Sequence, residues 1–126
     1  MTFNRPLLAF AALNGALAVI LGAFAAHGAG PQIKSLLTTG SHYQLVHALL
    51  AVVCAVWIGG RLTTLAGWLA SIGGLIFSLS LAGIGLLHMP PLGAVAPIGG
   101  ALMIAAWLLV TVAALRSRPL GDSSRS

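Results

Sequence analysis

Acidic residues are almost absent from this sequence. It contains no glutamate, and its single aspartate, Asp122, lies near the C-terminus. Without paired carboxylates there is no acid and base for glycoside-type hydrolysis, and no carboxylate to orient the histidine of a catalytic triad. Calcium and magnesium lack their preferred ligands, and Walker, dinucleotide-binding and CxxC motifs are also missing. We therefore expect no enzymatic activity and no cofactor, and a proton pump with a buried carboxylate is excluded.

Charge of either sign is scarce, at 6% of the 126 residues, whereas 59% are hydrophobic. Soluble domains carry about 25% charged residues, and so few charges cannot cover a surface in water. In lipid the same composition is expected, so the bilayer is the predicted partner. The basic residues are single and widely separated, which argues against nucleic-acid binding. Cys54 is the only cysteine and lies in an apolar run, so we interpret it as a small core residue.

Four apolar runs, separated by glycine, proline and arginine, predict four transmembrane helices. They cover residues 6–26, 42–58, 64–87 and 97–115. Crossing the hydrocarbon core takes roughly 20 residues, and backbone groups in lipid must be bonded within each segment, so each run should be helical. A short interfacial helix is predicted at 32–39 and a polar tail at 117–126. The predicted fold is all-α, a polytopic four-helix bundle that forms one membrane domain over residues 1–126.

The basic residues predict the orientation of this bundle. Because consecutive helices alternate in direction, the N-terminus, the loop between the second and third helices, and the C-terminal tail share one side. That side holds Arg5, Arg61, Arg116, Arg118 and Arg125. The other side holds only Lys34. Since basic residues concentrate in cytoplasmic loops, both termini are predicted to be cytoplasmic.

Small residues at helical spacing predict where the helices pack. Lipid is as apolar as leucine, so close approach of small residues joins membrane helices. The third helix carries one such seam, made of Gly67, Ser71, Gly74, Ser78, Ala82 and Gly85. The first helix carries another, made of Ala11, Gly15, Ala18, Gly22 and Ala25.

Asn14 is a carboxamide near the middle of the first helix. A carboxamide in hydrocarbon needs a partner, and Ser71 is the candidate because it lies at similar depth. The alternative is that Asn14, Ser71 and Ser78 line a polar path across the membrane.

A polar cluster is predicted on the side opposite the arginines. Its members are His27, Tyr43, Gln44, His47 and His88, with His42 beside them. Tyr43 and Gln44 share a helix face with His47, which we place about one turn inside the membrane. Three interpretations are open: a hydrogen-bonded plug that joins helix ends, a metal site of imidazoles, and a proton or small-solute relay. We assign no metal, because ligand histidines usually need a carboxylate or carbonyl behind them.

Four short motifs follow one another along the chain. They are GAFAAHG at 22–28, YQLVHAL at 43–49, FSLSL at 77–81 and APIGG at 96–100, with a later Trp107. Together they resemble the YgdD/YwdK-type family, a domain-of-unknown-function family of small four-helix bacterial inner-membrane proteins. The resemblance implies this fold and an inner-membrane location, but no activity. It places seven residues at the family's motif positions: His27, Tyr43, Gln44, His47, Ser78, Pro97 and Gly100.

The chain departs from the family pattern at Ala25, Leu79, Ala82 and Ala96. Ala82 stands where the family usually has tyrosine, and Ala96 where it has threonine. Losing these two polar groups argues against a relay that needs them and favours a structural role for the remaining cluster.

These observations favour a non-enzymatic accessory or structural subunit, or a self-associating scaffold, in a homo-oligomer or a larger membrane complex. The alternative is a small channel or transporter for a small solute or protons. The two hypotheses differ in one structural respect. A path requires Asn14, Ser71 and Ser78 to line a continuous wet cavity, whereas a scaffold requires them to be packed and bonded between helices.

Overall fold

A computed structural model describes residues 3–57 and 59–117. Its elements are α1 (Arg5–His27), α2 (Pro31–Val56), α3 (Arg61–Leu87) and α4 (Ala96–Arg116), with a 3₁₀ segment at Pro90–Ala94 before α4. All four helices are long and apolar enough to cross a membrane. The predicted fold of an all-α, multi-pass membrane protein is therefore confirmed. Ile58 and residues 118–126 of the predicted tail lie outside the described residues.

Turn residues set the ends of the helices. The Asn4 side chain caps α1, because its Oδ1 accepts a hydrogen bond from the Leu7 N–H at 3.1 Å. Gly60 precedes α3 with a φ of +82°, a conformation that glycine adopts without steric cost. At its other end α3 stops at His88, whose left-handed backbone (φ 51°) cannot continue the helix.

Helix α2 corrects one boundary prediction. The sequence suggested an interfacial helix at 32–39 and a separate second helix at 42–58, but α2 is continuous from Pro31 to Val56. Gly40 and Ser41 resemble a break, yet Gly40 serves close packing: a Cβ there would lie 3.1 Å from the Ser78 Cα of α3. At 1.5 Å per residue the helix is about 39 Å long, so its first turns extend beyond a hydrocarbon core of about 30 Å.

The two central helices are α2 and α3, and α1 and α4 lie outside them. Half of the most apolar stretch of α2 and of α3 is buried, against 22% for α1 and for α4. Helix α1 packs mainly on α2, and α4 packs mainly on α3. We call the end that carries Arg5, Arg61 and Arg116 the arginine end, and the opposite end, near Lys34, the lysine end.

Small residues lie where the helices approach each other closely, as their spacing predicted. All six seam residues of α3 are buried. A Cβ at Gly74 would lie 3.4 Å from the Gln44 Cα of α2. The α1 seam packs on α2 as well, since a Cβ at Gly15 would lie 4.0 Å from the Ala48 Cβ. These contacts hold α1, α2 and α3 at short separation.

A second glycine contact, between α3 and α4, was not predicted. A Cβ at Gly99 would lie only 2.6 Å from the Phe77 backbone nitrogen and 2.7 Å from the Gly73 carbonyl oxygen. No side chain fits between the two helices at this point. Gly73 lies one residue from the predicted seam, so α3 presents small residues to two neighbours rather than to one.

Candidate functional site: a polar layer in the middle of the bundle

Polar side chains from all four helices lie at one level. Asn14 is nine residues from the start of α1 and Ser71 ten from the start of α3. His47 is nine residues from the end of α2, and Trp107 nine from the end of α4. At 1.5 Å per residue, these positions are about 14–15 Å from the arginine end. They therefore lie near the middle of a hydrocarbon core about 30 Å thick.

Asn14 joins α1 to both central helices. Its Oδ1 accepts a hydrogen bond from Gln44 Nε2 of α2 at 2.8 Å, and its Nδ2 donates to the Ser71 carbonyl oxygen of α3 at 3.1 Å. Asn14 is 4% exposed, and Gln44 and Ser71 are each 1% exposed. Ser71 was the expected partner, but the contact uses its backbone. Gln44 was not expected, because the sequence placed it at the surface of the membrane.

Two hydrogen-bond partners determine which ring nitrogen of His47 carries the proton. Its Nδ1 lies 2.7 Å from the Tyr43 carbonyl oxygen, and its Nε2 lies 2.9 Å from the indole Nε1 of Trp107. A carbonyl only accepts and an indole N–H only donates. His47 is therefore a neutral imidazole with its proton on Nδ1, and its Nε2 accepts from Trp107. This bond links α2 to α4.

Aromatic rings continue from His47 towards the lipid. The Tyr43 ring stacks on the imidazole with centroids 6.5 Å apart, and the Phe77 ring meets Tyr43 edge-on at 5.4 Å. Tyr43 is 48% exposed and Trp107 is 46% exposed, so both face the surrounding lipid. We call Tyr43, His47, Phe77 and Trp107 the aromatic strip.

Three buried polar atoms have no hydrogen-bond partner among the described residues. They are Gln44 Oε1, Ser71 Oγ and Ser78 Oγ. Ser78 is 2% exposed and lies where α3 approaches α2, because a Cβ at Gly40 would lie 3.3 Å from the Ser78 Oγ. Buried polar groups are normally paired, and these three atoms are exceptions: two lie at or near the polar layer, and Ser78 lies seven residues further along α3 than Ser71.

The predicted cluster at the opposite side from the arginines is not one site. Gln44 is bonded to Asn14, which lies thirteen residues, or about 20 Å, from His27 at the end of α1. His88 follows the end of α3 and is exposed. The correction follows from α2, which begins at Pro31 and so carries Gln44 and His47 to mid-depth.

His42 is the one further histidine near the strip, edge-on to Tyr43 with ring centroids 6.3 Å apart. Within residues 3–57 and 59–117, no three His, Cys, Asp or Glu side chains are placed to share a metal ion. The structure therefore does not assemble the imidazole site that one interpretation of the sequence required.

Trp107 is the functional-site residue that the residue-by-residue reasoning missed. Trp107 was considered only as part of a family motif, although its position in the middle of a span is informative. Tryptophan in membrane proteins is enriched at the interfaces, and Trp107 is instead in the middle of a span. A buried or lipid-embedded indole N–H needs an acceptor, so a mid-span tryptophan indicates a polar partner at the same depth.

The sequence comparisons agree with this fold. A family model described as "Protein of unknown function (DUF423)" matches residues 21–100. The UPF0382 membrane protein YwdK of Bacillus subtilis (strain 168) is 38% identical over 114 residues, which cover 83% of this chain and 92% of that protein. The UPF0382 inner membrane protein YgdD of Escherichia coli (strain K12) is 33% identical over 127 residues, covering 95% and 97%. No solved structure matches the chain.

Proposed function

The chain belongs to the DUF423 family, and from that premise we propose that it is a non-enzymatic scaffold of the bacterial inner membrane that associates with a second copy of itself. The observation that carries the proposal is the chain of hydrogen bonds from Gln44 through Asn14 to Ser71. A polar path needs these groups to face water, but here they bond one helix to another. Two cavities of about 600 and 580 Å³ lie at the arginine end and are lined by other residues.

The aromatic strip is the surface through which the copies would meet. Tyr43 is thirteen residues from the end of α2, or about 20 Å from the arginine end, and is thus inside the hydrocarbon core. Its hydroxyl makes no hydrogen bond within the described part of the chain and gains from a partner in an apolar solvent. A phenol both donates and accepts, so two copies related by a twofold axis satisfy each other at this residue.

Photo-crosslinking in native membranes tests this surface. We expect a crosslinking amino acid at position 43 to give a covalent dimer of the chain. The matched control is Leu45, which is exposed on the opposite flank of α2 at similar depth. A crosslink from position 43 to another protein would make the chain an accessory subunit of that partner. Equal yields at the two positions would remove the aromatic strip as the interface.

A small channel or transporter is the second candidate, favoured by the three unpaired atoms on Gln44, Ser71 and Ser78. Purified protein in liposomes with a pH-sensitive dye tests it. The scaffold proposal expects a proton flux equal to that of empty liposomes. A flux that exceeds it and falls in Asn14→Leu would replace the scaffold by a path.

Both termini are proposed to face the cytoplasm, because the arginine end carries three of the four basic residues with a described position. Thiol labelling in a Cys54→Ala background tests the orientation. Lys34→Cys should react with an impermeant reagent in intact cells, whereas Arg61→Cys should react only after permeabilisation. The reverse pattern would invert the bundle.

A further inference from the structure

A cavity of about 580 Å³ lies at the arginine end, where the end of α2, the start of α3 and the end of α4 meet. Arg61 and Arg116 line it, together with Trp57, Gly59 and Ser117. The proposed contact between copies through the aromatic strip does not involve this cavity. Its volume is within the range of about 300–1,000 Å³ that is usual for small-molecule sites.

Among residues 3–57 and 59–117, two arginines and no carboxylate line the cavity. The only acidic residue of the chain, Asp122, lies outside the described residues, so no acidic side chain faces either arginine within residues 3–57 and 59–117. The start of α3 adds partial positive charge, because no side chain caps it. The hydroxyls of Thr63 and Thr64 donate to the Gly60 carbonyl oxygen instead. The helix dipole disfavours a basic residue at a helix start, and a bound anion would offset this for Arg61.

The position of the cavity indicates the source of that anion. Arg61 begins α3 and Arg116 ends α4, and both helices are apolar and long enough to cross a bilayer, which puts the cavity at the edge of the hydrocarbon core. This is the level of the lipid headgroups, where tryptophans such as Trp57 are enriched. A neighbouring groove of about 600 Å³ shares Trp57 and Arg61 with the cavity and is lined on the membrane side by Leu65 and Trp68. Leu65 and Trp68 are apolar, as a surface that contacts an acyl chain must be.

We propose that Arg61 and Arg116 bind the phosphate of one anionic phospholipid between α3 and α4. One guanidinium group can donate two parallel hydrogen bonds to a phosphate, because its N–H donors lie in one plane. Two arginines from different helices thus give the headgroup a defined place, and the bound lipid joins the end of α4 to the start of α3.

Native mass spectrometry of the protein in mild detergent tests the proposal, with phosphatidylglycerol and phosphatidylcholine as probes. We expect selective retention of phosphatidylglycerol. Arg61→Gln or Arg116→Gln should each weaken it about fivefold, and the double variant about 25-fold, at about 1 kcal/mol per basic residue near the membrane surface. Arg5→Gln is the matched control, because Arg5 is at the same end but does not line the cavity.

Three further results decide between alternatives. The Arg61→Lys, Arg116→Lys pair should keep part of the retention, since the charge remains and the paired donors are lost. Retention in Arg61→Gln and Arg116→Gln that equals the Arg5→Gln value would overturn the proposal. Displacement of the lipid by millimolar inorganic phosphate would also overturn it, because the site would then take soluble phosphate.

Discussion

Replacing Asn14 by alanine removes the side chain at which α1, α2 and α3 meet. Two hydrogen bonds are lost, one from Gln44 Nε2 and one to the Ser71 carbonyl oxygen. Interhelical bonds in membranes are worth about 0.6–2 kcal/mol each. Gln44 is 1% exposed, so its freed amide finds no water. We expect Asn14→Ala to lower the free energy of unfolding by about 1–4 kcal/mol, the sum of the two bonds.

Reversible unfolding by dodecyl sulfate in mixed micelles measures this change. Leu13→Ala is the control for helix α1, because Leu13 is 71% exposed to lipid and should change the free energy of unfolding little. A double-mutant cycle with Gln44→Leu isolates the bond, and we expect a coupling energy of about 0.6–2 kcal/mol. Additive effects of Asn14→Ala and Gln44→Leu would show that the two side chains are not bonded, since unconnected residues do not couple.

The remaining predictions concern α4 and His47. Gly99→Ala should destabilise the bundle by about 1–3 kcal/mol, because its Cβ would meet the Phe77 backbone. Gly100→Ala, with open space at its Cβ, should be tolerated in the same unfolding assay. Trp107→Phe should cost about 1 kcal/mol, and it should cost much less in a His47→Ala background; an equal loss there would contradict the hydrogen bond. Metal analysis should give equal content in the wild type and in His47→Ala, because both imidazole nitrogens are already bonded.

The fold could be predicted from the sequence because a bilayer permits few backbone structures. Backbone satisfaction forces each apolar run into a helix, and the small-residue seams of α1 and α3 fix two of the packed faces. The Gly73–Gly99 contact was not predicted, because α3 carries small residues on adjacent faces. Periodicity alone does not say which of two faces meets which neighbour.

The candidate site was harder to predict, because its depth follows from one helix start. Pro31 begins α2, whereas residues 32–39 resembled a separate interfacial helix. Because α2 begins at residue 31 rather than 42, Gln44 and His47 lie at mid-depth and not near the membrane surface. There Asn14 and Trp107 are their partners. Local polarity predicts exposure to water, and here tertiary hydrogen bonds replace water.

The depth of the polar layer depends on α2 being one helix whose middle packs on the middle of α1. Disulfide formation in native membranes, in a Cys54→Ala background, measures this packing. A Cβ at Gly15 would lie 4.0 Å from the Ala48 Cβ, within the roughly 3.5–4.5 Å that a disulfide requires. We predict that Gly15→Cys with Ala48→Cys forms an intramolecular disulfide and that Gly22→Cys with Ala48→Cys does not. A disulfide in the second pair and none in the first would instead place α2 at the shallower depth that a start at residue 42 gives.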